Sequence, residues 1–544
     1  MPQRHPDSLS PADLAAALAA HAAMVAELRR PGACAGEPTG AGLIETHLSS
    51  LLLAGDQVYK LKKPLRNAFV DFSTLEARCE ACEQELRLNR RTAPRWYLRV
   101  MAVRRLPGGA TLTATGDPVA VEGPVIDWAV QMRRFDDRQR LDRLAQAGQL
   151  SASMVDSLAA VVARFHAQQS PAPPGFGRAE TTRHWARENL RELAALAPDA
   201  AARAQVAALA DWTEQRGAAL ASLMDLRCRT GHVREVHGDL HLGNVVWFEG
   251  APVLFDALEF NDTLRHIDTL GDLAFTFMDL QAHGLSGLAW RFISAALEAS
   301  GDWAALPLLS WWAVYRATVR AKVTLMGAVV ASQARAQAQR YLDLAMALAG
   351  LDGAESAPPR LVMSFGLAGA GKSTVALALA ECLGAVRLRS DVERKRLFSV
   401  PPTARAVPGL YSADATRRTY DRLQDLARAA LAAGVSVVVD AASLRRSERD
   451  AMRAVATQTG ACFTLLVCDA APGVLAERVR QRMRAGDDAS DATPELLALQ
   501  QSMAEWPGGD EAAYTLRIAT DPPWPVLRAS IEVLAKTLAK TPRD

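Results

Sequence analysis

Residues 366–374 read GLAGAGKST, a glycine-rich run closed by a lysine and two hydroxyl side chains. An apolar stretch, LVMSFG, precedes it and TVALALAECL follows, so a buried strand should run into the loop and a helix should leave it. That setting suits a phosphate cradle. Gly366, Gly369 and Gly371 let backbone N–H groups close on phosphate oxygens, and Lys372 reaches the β/γ-phosphates. Ser373, with Thr374 beside it, offers a hydroxyl to Mg²⁺. Downstream, VSVVVDAAS predicts a second strand ending in Asp440, where a carboxylate can hold the Mg²⁺ shell or position a substrate. Between them, a short strand should pass into a helix capped by Ser390 or Asp391. There Asp391 could take a proton from a hydroxyl and Arg394 could hold an anion. The segment PGVLAERVRQRMRAG predicts a helix carrying Arg478, Arg482 and Arg484, followed by a polar break, as in a lid that neutralises phosphate charge.

A second cluster lies near the middle of the chain, where residues 236–244 read VHGDLHLGN and are followed by VVWF and then VLFD. Asp239 on a loop could orient and deprotonate a hydroxyl. Asn244, five residues on, could turn back to a metal ion, and Asp256 could hold the same metal between phosphates. Three of the chain's eight lysines crowd into positions 60–63, against 62 basic residues in all. Such lysines are candidates for sites that require a compact ammonium.

These residues need elements to position them. LSSLLLAGDQVYKLKK predicts a hairpin, and a Glu- and Arg-rich helix should cover about 73–92. YLRVMAVRRL, TLTATG and WAVQMRRF should complete a small sheet over 40–135. Mostly helical sequence runs from 140 to 350. GAESAPPR at 353–360 is small, polar and proline-containing, as a linker should be. Beyond it strands and helices alternate, which predicts a parallel sheet. The expected organisation is a helical leader over 1–35, a first domain over 36–352, a linker over 353–360 and a second domain over 361–544.

The chain has 544 residues, 49% hydrophobic and 22% charged, enough for two or three cores. A net charge of +2 gives no reason to invoke a nucleic-acid or membrane partner. No run of 18 apolar residues suggests a transmembrane helix, and the first residues lack the pattern of a signal peptide. Seven scattered cysteines suit a reducing compartment, and a cytoplasmic location is expected. Cys79 and Cys82 form a CxxC within helical sequence and without a second pair, so they read as ordinary helix residues.

Taken with SD-x-x-R, VVDA and the Arg-rich helix, the glycine-rich loop resembles the nucleoside-monophosphate-kinase-like P-loop kinases over about 359–544. That group includes gluconate kinases, polynucleotide 5′-kinases, chloramphenicol phosphotransferase and zeta-toxin-like kinases. The VHGDLHLGN cluster resembles the catalytic and metal loops of aminoglycoside phosphotransferases and their protein-kinase-like relatives. The resemblance implies a bilobal α+β kinase-like domain followed by an α/β P-loop domain. It makes Asp272 a support for the catalytic loop and Lys60, with Lys62 as alternative, the phosphate-gripping lysine. It also places Val58 under the adenine and a partner carboxylate on the following helix, Glu85 or else Glu76 or Glu80. One departure is the lack of a G-x-G-x-x-G run before the hairpin. The implied activity is transfer of the γ-phosphoryl group of ATP, with Mg²⁺, to an unidentified hydroxyl-bearing acceptor at two sites. The alternative is a nucleotide-gated regulatory or scaffold protein whose first domain only binds.

Overall fold

The computed structural model describes residues 11–34, 40–67, 69–114, 123–326, 331–353, 357–401, 404, 409–485 and 493–540. These form two compact units. The first comprises residues 1–150, 165–279 and 314–346, and the second 151–164, 280–313 and 347–544.

The first unit opens with helix Pro11–Leu28 and six strands: β1 (Gly42–Glu45), β2 (Ser49–Ala54), β3 (Gln57–Lys62), β4 (Tyr97–Leu106), β5 (Gly109–Ala114) and β6 (Val125–Arg133). They pair in the order β1-β2-β3-β6-β4-β5, all antiparallel. Alternation explains why the sheet has two apolar faces. Tyr59, Leu61, Val103 and Ala129 pack against Met24 and Leu28 on one side, while Val58, Val100 and Val130 join Trp96 and Phe255 on the other. The β2–β3 turn needs a left-handed residue, and Gly55 supplies it with φ 58°. Helix Leu75–Asn89 begins where the Thr74 side chain accepts from the Ala77 N–H. It carries Cys79 and Cys82, which like the other five cysteines are free thiols.

Four short strands follow: β7 (Val233–Glu235), β8 (Val245–Phe248), β9 (Ala251–Leu254) and β10 (His266–Asp268). They pair as two antiparallel ribbons, β8 with β9 and β7 with β10. The loops between them carry the VHGDLHLGN cluster and Asp256.

The second unit holds β11 (Arg360–Phe365), β12 (Ala385–Arg389), β13 (Ser436–Asp440), β14 (Cys462–Asp469) and β15 (Thr515–Ala519). All are parallel, in the order β12-β13-β11-β14-β15. Val362, Val438 and Leu466 from adjacent strands share a core with Leu379 and Ile531 from flanking helices. Helix Ser286–Ser300, although it precedes the expected linker, belongs to this unit and packs on helix Lys372–Leu383 and β12. The division expected at 353–360 is therefore a proposal about where the backbone can be cut, and residues 354–356 lie outside the described ones. So do residues 1–10 of the expected leader and residues 486–492 of the expected polar break. Among the described residues no helix is long and apolar enough to cross a membrane.

Candidate functional sites

In the first unit, β3 aims Lys60 at two carboxylates. Its Nζ is 2.8 Å from Glu85 Oε1 and 2.5 Å from Asp256 Oδ1. Glu85 is fully buried on helix Leu75–Asn89. Lys62 is the second cation on Glu85 and also pairs with Glu259, a residue the sequence did not single out. Lys60 lines the large cavity of this unit and Lys62 does not. Burial disfavours the Lys60 ammonium, but Asp256 and Glu85 outweigh it and hold its pKa well above the ordinary lysine value. Burial likewise raises the Glu85 carboxyl, and Lys60 and Lys62 reverse that and lower it. Glu76 and Glu80, the alternatives to Glu85, form no such pair with either lysine.

Asp256 adopts φ 62°, unusual for a residue with a side chain. Two hydrogen bonds fix the strained turn. The Asp256 N–H donates to the Tyr97 hydroxyl at 3.1 Å, and the Ala257 N–H donates to Asn89 Oδ1 at 2.8 Å. Asn89 follows Glu85 by one helical turn and donates its amide to the Glu85 carbonyl. The same helix thus sets the carboxylate beside Lys60 and the backbone beneath Asp256.

The catalytic-loop candidates are held from below. Asp272 accepts from the N–H groups of His237 and Gly238, each at 2.8 Å, while His166 Nε2 lies 3.1 Å from it. Asn244 donates to the Asp239 carbonyl at 2.9 Å and to Asp239 Oδ2 at 3.0 Å. His241 Nε2 is 3.6 Å from Asp239 Oδ2. Burial would raise the Asp239 carboxyl, but His241 and Arg320 beside it hold it well below the usual carboxylate range. Burial lowers His237, which contacts the Phe255 carbonyl at 2.9 Å.

Asp239, Asn244, Asp256 and Lys60 all open onto one cavity of ≈ 1270 Å³. Leu51, Leu53 and Val58 form an apolar wall from β2 and β3. In place of a glycine-rich loop, Thr46, His47 and Leu48 of the β1–β2 turn line it. The turn is pinned by the Thr46 hydroxyl, which donates to the Ser49 carbonyl and accepts the Ser49 N–H, both at 3.0 Å.

In the second unit, β11 feeds the glycine-rich loop. Gly369 has φ 80°, and a Cβ there would stand 2.5 Å from the Leu475 carbonyl oxygen. Gly366 and Gly371 also have positive φ. Thr374 lies in the first turn of helix Lys372–Leu383. Lys372 Nζ donates to the Leu367 carbonyl at 2.8 Å. Burial lowers its pKa, which Asp440 only partly offsets. Ser373 Oγ donates to Asp440 Oδ1 at 3.2 Å, and Asp440 Oδ2 is buried without a hydrogen-bond partner.

Several side chains sit differently from their expected roles. Neither Ser390 nor Asp391 caps its helix. The N-cap is Arg389, with no side-chain cap, because both residues already lie inside the first turn. Burial raises the Asp391 carboxyl, and nearby Asp440 pushes in the same direction. Arg394 donates to the Leu410 carbonyl and the Thr416 hydroxyl. Arg478 donates to the Gly369 carbonyl and to both oxygens of Thr520, tying the loop to the residue that follows β15. Arg482 acts on Lys372 through its charge, and Arg484 is exposed. Sequence reasoning missed Glu298 on helix Ser286–Ser300, whose carboxylate lies 3.7 Å from Arg387 and 3.4 Å from Arg389. Both arginines also stand within 4.0 Å of Asp440 Oδ2.

Each site offers hard oxygen donors for a divalent cation. They are Asn244 and Asp256 in the first, and Ser373 with Asp440, whose Oδ2 accepts no hydrogen bond, in the second. Two protein oxygens suit Mg²⁺, which takes the rest of its shell from phosphates and water. Among the described residues no group of three His, Cys, Asp or Glu forms an all-protein metal cluster.

A model of the phosphotransferase enzyme family (APH) matches residues 55–309, and one of an AAA domain (AAA_33) matches residues 361–507. An uncharacterized protein of Mycobacterium tuberculosis strain H37Rv is 33% identical over 474 residues, covering 86% of this chain and 90% of its own. A Mycobacterium bovis protein matches to the same extent. A solved gluconokinase from Sinorhizobium meliloti 1021 is 25% identical, covers 34% of this chain and 97% of its own, and has a TM-score of 0.25. The Mycobacterium tuberculosis APS kinase CysC is 22% identical over 34% of this chain and 96% of its own, also with a TM-score of 0.25.

Proposed function

This chain belongs to the family of those mycobacterial proteins, with a phosphotransferase-family domain ahead of a P-loop kinase domain, and we propose that it transfers the γ-phosphoryl group of ATP to a hydroxyl at each of two sites. One observation carries the reading of the first site. Lys60, Glu85, Asp239, Asn244 and Asp256 come from three separate stretches of chain and converge at one cavity or on its lining lysine.

Each residue then has a task. Val58, Leu51 and Leu53 take the adenine. Lys60, oriented by Glu85, holds the phosphates. Asn244 and Asp256 would hold the divalent cation, which supplies neutralisation of phosphate charge. Asp239 receives the acceptor hydroxyl. Because His241 and Arg320 keep its carboxyl low, Asp239 is ionised at neutral pH and is a weak base. Its main work is orientation, with the proton arriving late, as suits a transfer in which positioning dominates. In the second site the loop N–H groups and Lys372 take the phosphates, Ser373 and Asp440 hold the cation, and Asp391 orients the acceptor. The binding-only alternative needs an incomplete first site, and none of these roles lacks a residue.

The test is label transfer from [γ-³²P]ATP by the full chain carrying Lys372→Ala, against a metabolite library. Asp239→Asn in that background should slow transfer by about 10²–10⁴-fold. An unchanged rate would remove Asp239 from the reaction.

A further inference from the structure

We propose that the acceptor of the first site is an anionic alcohol whose carboxylate or phosphate group is received by Arg320 beside Asp239. This rests on the phosphotransferase reading of that site and narrows it.

The cavity is larger than the roughly 300–1,000 Å³ of a single-ligand pocket, as a site for two substrates requires. Its wall away from Lys60 comes from helices Ala179–Leu196 and Leu309–Met326. The charges on that wall are unevenly matched. Glu192 already pairs with Lys322 at 2.8 Å, and Glu188 with Arg191 at 2.7 Å. Arg320 has no ion pair among the described residues. Its neighbours are the Tyr341 hydroxyl, His241, whose Nε2 is 3.3 Å from Arg320 Nη1, and, beyond ion-pair distance, the carboxylates of Asp279 and Asp239.

The tautomer of His241 decides what that approach means. The Gly243 N–H donates to His241 Nδ1 at 3.1 Å, so Nδ1 is the unprotonated nitrogen. Nε2 then carries the hydrogen and cannot accept one from Arg320. Arg320 therefore keeps donor capacity at the cavity, next to the carboxylate that meets the acceptor hydroxyl. Its Nε is buried without a hydrogen-bond partner.

Ligand classes fare differently against this wall. A polycation would meet carboxylates that already have partners, and a guanidinium that repels it. A neutral polyol would leave Arg320, whose Nε has no hydrogen-bond partner, without a directly paired anion. An oxyanion accepts its fork in a charge-assisted pair. Trp185, Val319 and Val323 offer apolar surface to the body of the acceptor. In the transfer itself, the hydroxyl proton passes to Asp239 and the acceptor oxygen bonds the γ-phosphorus. The bond from that phosphorus to the β,γ-bridging oxygen breaks, and ADP leaves with the electron pair. Arg320 binds the acceptor and takes no part in these bonds.

The experiment uses the full chain carrying Lys372→Ala, loaded with a non-hydrolysable ATP analogue and titrated calorimetrically. The probes are glycerol, glycerate, glycerol 3-phosphate and kanamycin. The anions should bind about 10–100-fold more tightly than glycerol, the size of a charge-assisted hydrogen bond. Arg320→Gln should abolish that preference and Arg320→Lys should retain part of it. Whichever of glycerate and glycerol 3-phosphate binds better identifies the acid group. Tighter binding of glycerol or kanamycin, no binding of either anion, or anion binding unchanged by Arg320→Gln each overturns the proposal. Binding of the analogue that Lys60→Ala weakens keeps the phosphotransferase reading standing in those cases. If the analogue itself does not bind, that reading falls as well.

Discussion

In the first unit Lys60, the lysine proposed to hold phosphate, sits between Glu85 and Asp256. In the second, Lys372 donates to a neutral carbonyl, that of Leu367. Against burial, the carboxylates hold Lys60 well above the ordinary lysine range, whereas burial pulls Lys372 down. The carboxylates proposed to face the acceptors show the reverse arrangement. Asp239 is held low by His241 and Arg320, and Asp391 is pushed up by burial and by Asp440. The first site brings its own counter-charges and is folded around them. The second leaves its lysine short of negative charge, which a bound phosphate would supply.

The sharpest way to break that contrast is to remove each lysine. Lys372→Ala should weaken ATP·Mg²⁺ binding to the P-loop site by roughly 10²–10³-fold, the cost of losing one partner of a buried charge contact. It should leave thermal stability unchanged or slightly higher, since a desolvated cation is removed. Lys60→Ala should instead strip a partner from Glu85 and Asp256 and destabilise the first unit by about 3–5 kcal/mol. Calorimetry of the two variants without nucleotide distinguishes them, and equal melting behaviour would erase the difference.

Next in size is the pH dependence. With Lys372→Ala leaving only the first site, kcat/KM should hold its acid-side value to below about pH 4, the ordinary carboxylate range, because Asp239 is depressed and stays ionised. With Asp239→Asn leaving only the second, activity should fall as pH drops through a point above that range. There the raised Asp391 takes up its proton and can no longer accept one. Coincident acid limbs would show that the free-enzyme environments do not govern the two reactions.

The smallest expected effect concerns the inner pair. Lys62→Met with Glu259→Gln removes a buried ion pair but keeps Lys60 on Glu85. Replacing such a pair is often close to neutral, so ATP affinity should stay within about threefold. A tenfold loss would mean that Lys62 shares the contact with phosphate.

The sequence made some of this legible and hid the rest for physical reasons. The glycine-rich loop was readable because strand, turn and helix are contiguous, and so were β2 and β3, whose alternation is local. Asp239, Asn244 and Asp256 lie within 18 residues of one another. The choice between Lys60 and Lys62 could not be read, because alternation puts both on one face and their distinguishing partners, Asp256 for Lys60 and Glu259 for Lys62, lie some 200 residues on. Glu298 and Arg320 left no signal, since each gains its meaning from a partner distant in sequence, Arg387 and Asp239. The absent glycine motif left two readings open, a different loop over the nucleotide or weak binding of it. The turn at Thr46–Leu48 is held by side-chain hydrogen bonds instead of backbone freedom.

Helix Ser286–Ser300 has a consequence in time. It packs on helix Lys372–Leu383, whose first residue is made some 70 residues later. At about 5–20 residues per second, a nascent chain holds Trp290 and Arg291, which meet Gly384 and Glu381, for several seconds before those partners leave the ribosome. This part of the second unit is thus complete before the strand and helix it packs on exist. Slowing synthesis between codons 300 and 372 should lengthen that interval.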